Sequence, residues 1–305
     1  MSGAPVPVTG PAYLAESPIW DSATQTLLWV DIMAGDVHRF DPATGSDTVT
    51  QVNVPVGAVA QRRGGGLILA ADTGFATLDE GDPSSLTWLW DDGLGDRMND
   101  GKCDPAGRFL GGTLSYARDP GACALYRLDP GGSTRAEGST SPGGSTSPEV
   151  STVLDGVTLS NGLGWSPDGT LMYFADTALG RVDVLRYDQD TGAVGDRRVF
   201  VDCAGLPGHP DGLTVDSDGA VWVAMAAGAA VRRFTPDGTP DQVIELPVQL
   251  VTSVTFGGPG LGDLYVTTAR EHLTEADLAA QPLAGSVFLV TGTGVTGLPA
   301  NLYAG

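Results

Sequence analysis

The sequence predicts an all-β protein, a six-bladed β-propeller with four-stranded blades whose ring is closed by an N-terminal strand. Three observations carry this. Short apolar runs recur at a near-constant period. The 44 glycines and 21 prolines are spread along the whole chain, which suits short strands joined by tight turns. No long amphipathic helical pattern competes, and only residues 271–281 (EHLTEADLAAQ) look briefly helical.

The runs are centred on Trp29 (LLWVDI), Leu69 (LILAA), Leu110 (RFLGG), Tyr173 (LMYFAD), Trp222 (AVWVAM) and Tyr265 (DLYVTT), at separations of 40, 41, 63, 49 and 43 residues. Units of about this length, each resolving into four strands, mark propeller blades. The fourth unit runs SNGLGWSPD, TLMYFADT, RVDVLRYD and RRVFVDC, with SPDG, ALG and DQDTG as turns. The sixth unit lacks a last strand after SVFLVTG, and the N-terminal VPVT supplies it. The long interval contains residues 130–149, a Gly/Ser/Thr/Pro-rich stretch that reads as a flexible insertion. The expectation is therefore one domain over 1–305. A β-sandwich or two smaller β domains would break the regular period.

Charge narrows the function. With 16 basic and 37 acidic residues, the chain carries a formal charge of −21. Such a surface repels nucleic-acid backbones and anionic lipid. Its acids either hold cations or keep the protein soluble as a solvated surface and as turn residues. Cys103, Cys123 and Cys203 include no CxxC pair, and His38, His209 and His272 are scattered. Zinc sites built on cysteine pairs or HExxH are thereby excluded. The start, MSGAPVPVTG, has neither the basic end nor the apolar stretch of a signal peptide. No run is long enough for a membrane span. A soluble, cytoplasmic protein is expected.

Side-chain oxygens recur at one place in the repeat. Three first strands end in comparable glycine turns, at Gly107, Gly169 and Gly219. Counting back eight residues from each gives Asn99, Asn161 and Asp211. In the first blade Glu16 stands just ahead of SPIWD in the matching place, while the second and sixth offer only small residues around Gly57 and Thr252. First strands line a propeller's channel, so these oxygens converge near the axis and suit a hard cation. The same residues also read as ordinary turn chemistry, because Asn161-Gly162 and Asp211-Gly212 are turn dipeptides.

Taken together, AESPIWDSATQTLLWVDI (15–32), RMNDGKCDPAGRFLGGTL (97–114), LSNGLGWSPDGTLMYFADT (159–177), HPDGLTVDSDGAVWVAM (209–225), LPVQLVTSVTFGGPGLGDLYVTTA (246–269) and the tail NLYAG (301–305) resemble the regucalcin/gluconolactonase family of sugar-lactone hydrolases. The resemblance spans almost the whole chain. It implies a six-bladed propeller with one divalent metal, calcium first, with zinc, magnesium or manganese as alternatives. It assigns Glu16, Asn161 and Asp211 as metal ligands, with Asp211 also the general base. Arg97 and Asn99 match substrate-binding positions, and in some relatives the equivalent of Asn99 is itself a ligand. Where vertebrate members carry an acidic sugar contact, this chain has Ser115-Tyr116-Ala117-Arg118, so the pocket rim differs. His209 stands where an apolar residue is common, either as a partner to Asp211 or as a loop residue.

The implied reaction is hydrolysis of an aldonolactone, a small-molecule substrate, to its aldonic acid. There is no GxSxG nucleophile elbow. Lys102, the only lysine, sits in the NDGK stretch and reads as a structural contact under the site. Two other readings stay open: a phosphotriester-type hydrolase on the same metal site, and a non-enzymatic calcium-binding or interaction propeller. Oligomeric state is not legible in the sequence.

Overall fold

The computed structural model describes residues 2–91, 93, 96–131 and 149–305. These form six four-stranded antiparallel sheets, the blades of a six-bladed β-propeller. The innermost strands are Ala15–Asp21, Val56–Gln61, Arg97–Cys103, Ser160–Trp165, His209–Val215 and Val251–Gly257. Each touches the innermost strand of the next blade, and the sixth touches the first. As expected, the N-terminal strand completes the sixth blade. Val6 and Pro7 pair with Leu289 and Phe288 of the strand Phe288–Val290. The fourth blade resolves as read from its sequence, into Ser160–Trp165, Leu171–Asp176, Arg181–Tyr187 and Val194–Asp202.

The apolar runs that set the period are the second strands. Thr26–Asp31, Leu67–Ala71 and Phe109–Leu114 are buried at every residue. A strand covered by neighbouring blades on both faces needs a continuous apolar run, not an alternating one. Outermost strands such as Ser46–Gln51 are nearly all exposed. The segment 271–281 contains a short helix, Glu275–Ala280, with a capping box between Thr274 and Asp277. The expected insertion at 130–149 lies outside the described residues, save for its ends. Glu149 already belongs to the strand Glu149–Val157, opposite Asp129.

The acidic residues are not all surface and turn chemistry, as the charge suggested. Asp21, Asp104 and Asp216 are buried where innermost strands end. Asp216 accepts from Trp222 Nε1 at 2.9 Å, Arg233 Nε at 2.8 Å and the Ala220 amide at 2.9 Å. Asp104 accepts from Arg108 Nε and the Tyr187 hydroxyl, each at 2.5 Å. Asp31 and Asp176 end second strands and accept the backbone amides of Tyr13, Leu14, Thr158 and Leu159. Each buried carboxylate thus fixes a turn or the start of a channel-lining strand, because a buried charge without partners would be prohibitive.

Asp21 allows a test. Burial alone would push its carboxyl up, but hydrogen bonds from Thr24, Gln61 and Arg39 outweigh that and bring it down to about 2. A carboxyl lowered on folding contributes stability that is fully present above its ordinary value of 3.8 and is lost as pH falls toward 2. That contribution is about 2 kcal/mol at neutral pH. Asp21→Asn should therefore lower the melting temperature at pH 7, and the gap to the parent should narrow between pH 4 and pH 2. A gap independent of pH would refute this account of Asp21.

Candidate active site

One end of the channel opens into a cavity of about 550 Å³. It is lined by every residue that the sequence nominated: Glu16, Arg97, Asn99, Asn161 and Asp211. All five are nearly buried, with Asp211 the most open at 9% exposure. A separate cavity of about 320 Å³ lies among residues farther along the same innermost strands, lined by Lys102, Trp165 and the C-terminal segment 298–301.

Bulges turn the site residues inward. Every innermost strand breaks register with its neighbour near the same point. Asn99, Asn161 and Asp211 each lie two residues before pairing resumes, at Gly101, Leu163 and Leu213. Gly57 and Thr252 are the bulge residues of the second and sixth blades. A bulge re-aims a side chain without ending the strand. The Asn-Gly and Asp-Gly pairs are therefore bulge residues inside strands, not hairpin turns. Their glycines permit close blade contact: a Cβ on Gly162 would stand 2.5 Å from the Leu213 nitrogen, and one on Gly212 would stand 2.0 Å from Ser253 Oγ.

Blade one differs from the count made on sequence. Pairing resumes there at Ile19, so Ser17 holds the place equivalent to Asn99, Asn161 and Asp211. Glu16 lies one residue earlier, inside the strand, opposite Val30. Ser17 adopts φ +47°, in the left-handed region, and its amide donates to Glu16 Oε2 at 2.7 Å. That local twist sets the Glu16 carboxylate in the cavity wall.

The hydrogen bonds fix both amides. Arg97 Nη1 can only donate, so the atom of Asn99 that it meets at 2.7 Å is Oδ1. Asn99 Nδ2 donates to the Ser160 carbonyl at 2.8 Å and to Asn161 Oδ1 at 3.1 Å. Thr177 Oγ1 spends its proton on the Pro210 carbonyl at 2.8 Å, so it accepts from Asn161 Nδ2 at 2.7 Å. Asn161 Oδ1 is thereby held on the side away from Thr177, with a lone pair left over. Asn99 Oδ1 is already engaged by Arg97, which favours a positioning role for Asn99 over ligation.

The site holds more negative charge than it neutralises. Burial pushes the Glu16 carboxyl well up, and the charges of Asp211 and Asp100 push it further. Burial does the same to Asp211, with Asp100 again adding to it. Asp100 itself is raised by burial, against the pull of Lys102. Burial lowers both Arg97 and Lys102. Lys102 Nζ donates to the Leu213 carbonyl at 2.8 Å, the structural contact its position suggested. Three buried acids thus face the buried Arg97 and the half-buried Lys102, and neither Glu16 nor Asp211 forms an ion pair among the described residues. Two carboxylates without an ion pair, beside a carboxamide oxygen with one lone pair to spare, fit a hard divalent cation. Among the described residues no three histidine, cysteine or acidic side chains cluster as ligands; here the third donor is an amide.

The family description "SMP-30/Gluconolactonase/LRE-like region" matches residues 14–270. The chain belongs to this family. Regucalcin of Xenopus laevis is 37% identical over 295 residues, covering 96% of this chain and 95% of its own. Regucalcin of Homo sapiens is 36% identical over 298 residues, covering 95% and 94%. The crystal structure of a calcium-binding regucalcin from Agrobacterium tumefaciens superposes with a TM-score of 0.88 at 30% identity, covering 99% and 97%.

Within this SMP-30/gluconolactonase-like chain, sequence reasoning missed Thr177, Asp100 and Glu271. Thr177 and Glu271 line the cavity from outside the innermost strands, and Asp100 hides beside Asn99 in its bulge. His209 is exposed on the cavity wall, and no hydrogen bond joins it to Asp211 among the described residues. Thr177→Val should free the Asn161 amide to turn and weaken divalent-ion binding about tenfold, the usual scale for a group that orients a ligand. Thr177→Ser should restore it. Calorimetric titration with calcium reads both; equal affinity in all three proteins would remove Thr177 from this role.

Proposed function

We propose that this protein is a lactonase that hydrolyses the internal ester of a sugar lactone to the open-chain aldonic acid with the help of one divalent ion, calcium first. The observation that carries the reading is the convergence of Glu16, Asn161, Asp211 and Arg97 on one cavity. Membership of a family whose description includes gluconolactonase supports it, as does the calcium-binding description of the Agrobacterium relative.

Glu16, Asn161 and Asp211 would hold the ion. When bound, a divalent ion supplies Lewis-acid stabilisation of the negative charge that builds on the ester carbonyl oxygen. Asp211 takes a proton from the attacking water as its oxygen bonds to the carbonyl carbon. The bond to the ring oxygen then breaks, and the departing alkoxide recovers a proton to become a hydroxyl of the open acid. Arg97 stays charged despite burial, because a guanidinium does not deprotonate in proteins. It donates to an ester or hydroxyl oxygen, held in place by Asn99 at 2.7 Å. Burial of these groups keeps the charged donors and acceptors in a low dielectric, where they act most strongly.

The test is a panel of aldonolactones assayed for acid release, with calcium, magnesium, manganese or zinc added after chelation. Activity should vanish on chelation and return with an ion. Asp211→Ala should lose about a thousandfold in turnover, the scale of a lost general base, with its melting temperature preserved. Glu16→Gln should shift the ion titration to higher concentration. Turnover of a phosphotriester with none of any lactone would overturn the reading, as would the absence of all turnover with every ion.

A further inference from the structure

The rim of the cavity carries an exposed arginine although the molecule is strongly acidic. Three acidic side chains line the cavity: the buried Glu16 and Asp211, and Glu271. Glu271 faces Arg97. The same lining carries Arg118, His209 and His272. Two of the three histidines in the chain are thus at this mouth.

Like Arg63, Arg198 and Arg270, Arg118 has no ion pair among the described residues, and of these four it alone lines this cavity. Arg39, Arg108 and Arg233 each bind buried aspartates. The Arg118 side chain has neither an ion pair nor a hydrogen bond among the described residues, although acids outnumber bases 37 to 16 in the chain. Its backbone closes the turn after Phe109–Leu114, the amide donating to the Ser115 carbonyl at 2.9 Å. Arg118 sits there at φ +53°, a conformation that costs an arginine strain and a glycine none. A cation on an otherwise acidic protein, on the wall of a substrate cavity, is a ready receptor for an anion. At physiological ionic strength the distant acids are screened beyond about 8 Å, so the local charge decides.

We propose that the preferred substrate is an anionic lactone, carrying a carboxylate or phosphate at the end remote from its ester, and that Arg118 receives that group. The ester must reach Asp211 in the buried depth of the cavity, while Arg118 is exposed at its mouth. The anionic group is therefore placed at the far end of the molecule from the reacting carbon. This proposal rests on the lactonase reading.

Three lactones separate the possibilities: neutral glucono-1,5-lactone, its 6-phosphate, and the monolactone of glucaric acid, each assayed with the calcium-loaded full chain. At least one anionic lactone should exceed the neutral one about tenfold in kcat/KM, the worth of one charge-assisted hydrogen bond. Which of the two does so identifies the group. Arg118→Gly suits the left-handed backbone and keeps the fold. It should raise KM for the preferred anion about tenfold, and raise it for the neutral lactone far less. Arg118→Lys should recover part of the loss, and Arg118→Glu should deepen it. Equal or better use of the neutral lactone by the parent overturns the proposal, as does an equal loss on all three lactones in Arg118→Gly. Failure of the parent to turn over any lactone overturns the lactonase reading itself, a result distinct from either.

Discussion

Three carboxylates of like charge, Glu16, Asp100 and Asp211, are held together out of water in the channel. Left to themselves they would separate or take up protons. The scaffold prevents separation because each sits on a different blade, and each blade is wedged between two others. The same wedge explains the glycines at 162 and 212, which let one bulge lie against the next blade. Thr252 adds a direct tie across the last seam, its hydroxyl donating to the Ala15 carbonyl at 2.6 Å beside Glu16. Arg97 and Lys102 offset part of the charge but leave an excess, which a bound cation would offset.

Much of the fold was legible because a propeller repeats. The second strands announce themselves as apolar runs, since both their faces are covered. Their spacing gave the blade count, and the missing last strand of the sixth blade pointed to VPVT. The positions of Asn99, Asn161 and Asp211 were also legible. Each precedes its glycine turn by the same eight residues, and the bulge falls at a fixed place in the strand. Glu16 escaped the count by one residue because Ser17 takes a left-handed conformation that no composition rule foretells.

Other parts were illegible for physical reasons. Thr177 lies sixteen residues beyond Asn161 and meets it only because two strands of one sheet run antiparallel. Tyr187 reaches Asp104 across a blade boundary and 83 residues of sequence. Asp21, Asp104 and Asp216 look like turn aspartates in the sequence, and they are. What the sequence hides is that each also carries an arginine, tyrosine or tryptophan partner brought to it by the fold. Arg118 could be noticed in sequence as a departure from relatives, but its want of a partner is visible only in three dimensions.

The closure of the ring by Val6–Pro7 against Phe288–Val290 has a consequence for synthesis. The seam joins the first of the described strands to the last, so it spans the longest stretch of sequence and is the last to close. Until the inner strands of the sixth blade, Val251–Gly257 and Asp263–Thr268, have been made, the first blade, which carries Glu16, has no neighbour on one flank. Five blades of a nascent chain can stack in order, yet the carboxylates of blades one and five cannot be brought to their final spacing. The spacing of these carboxylates, and of the cation site proposed on them, is therefore a property of the finished circle.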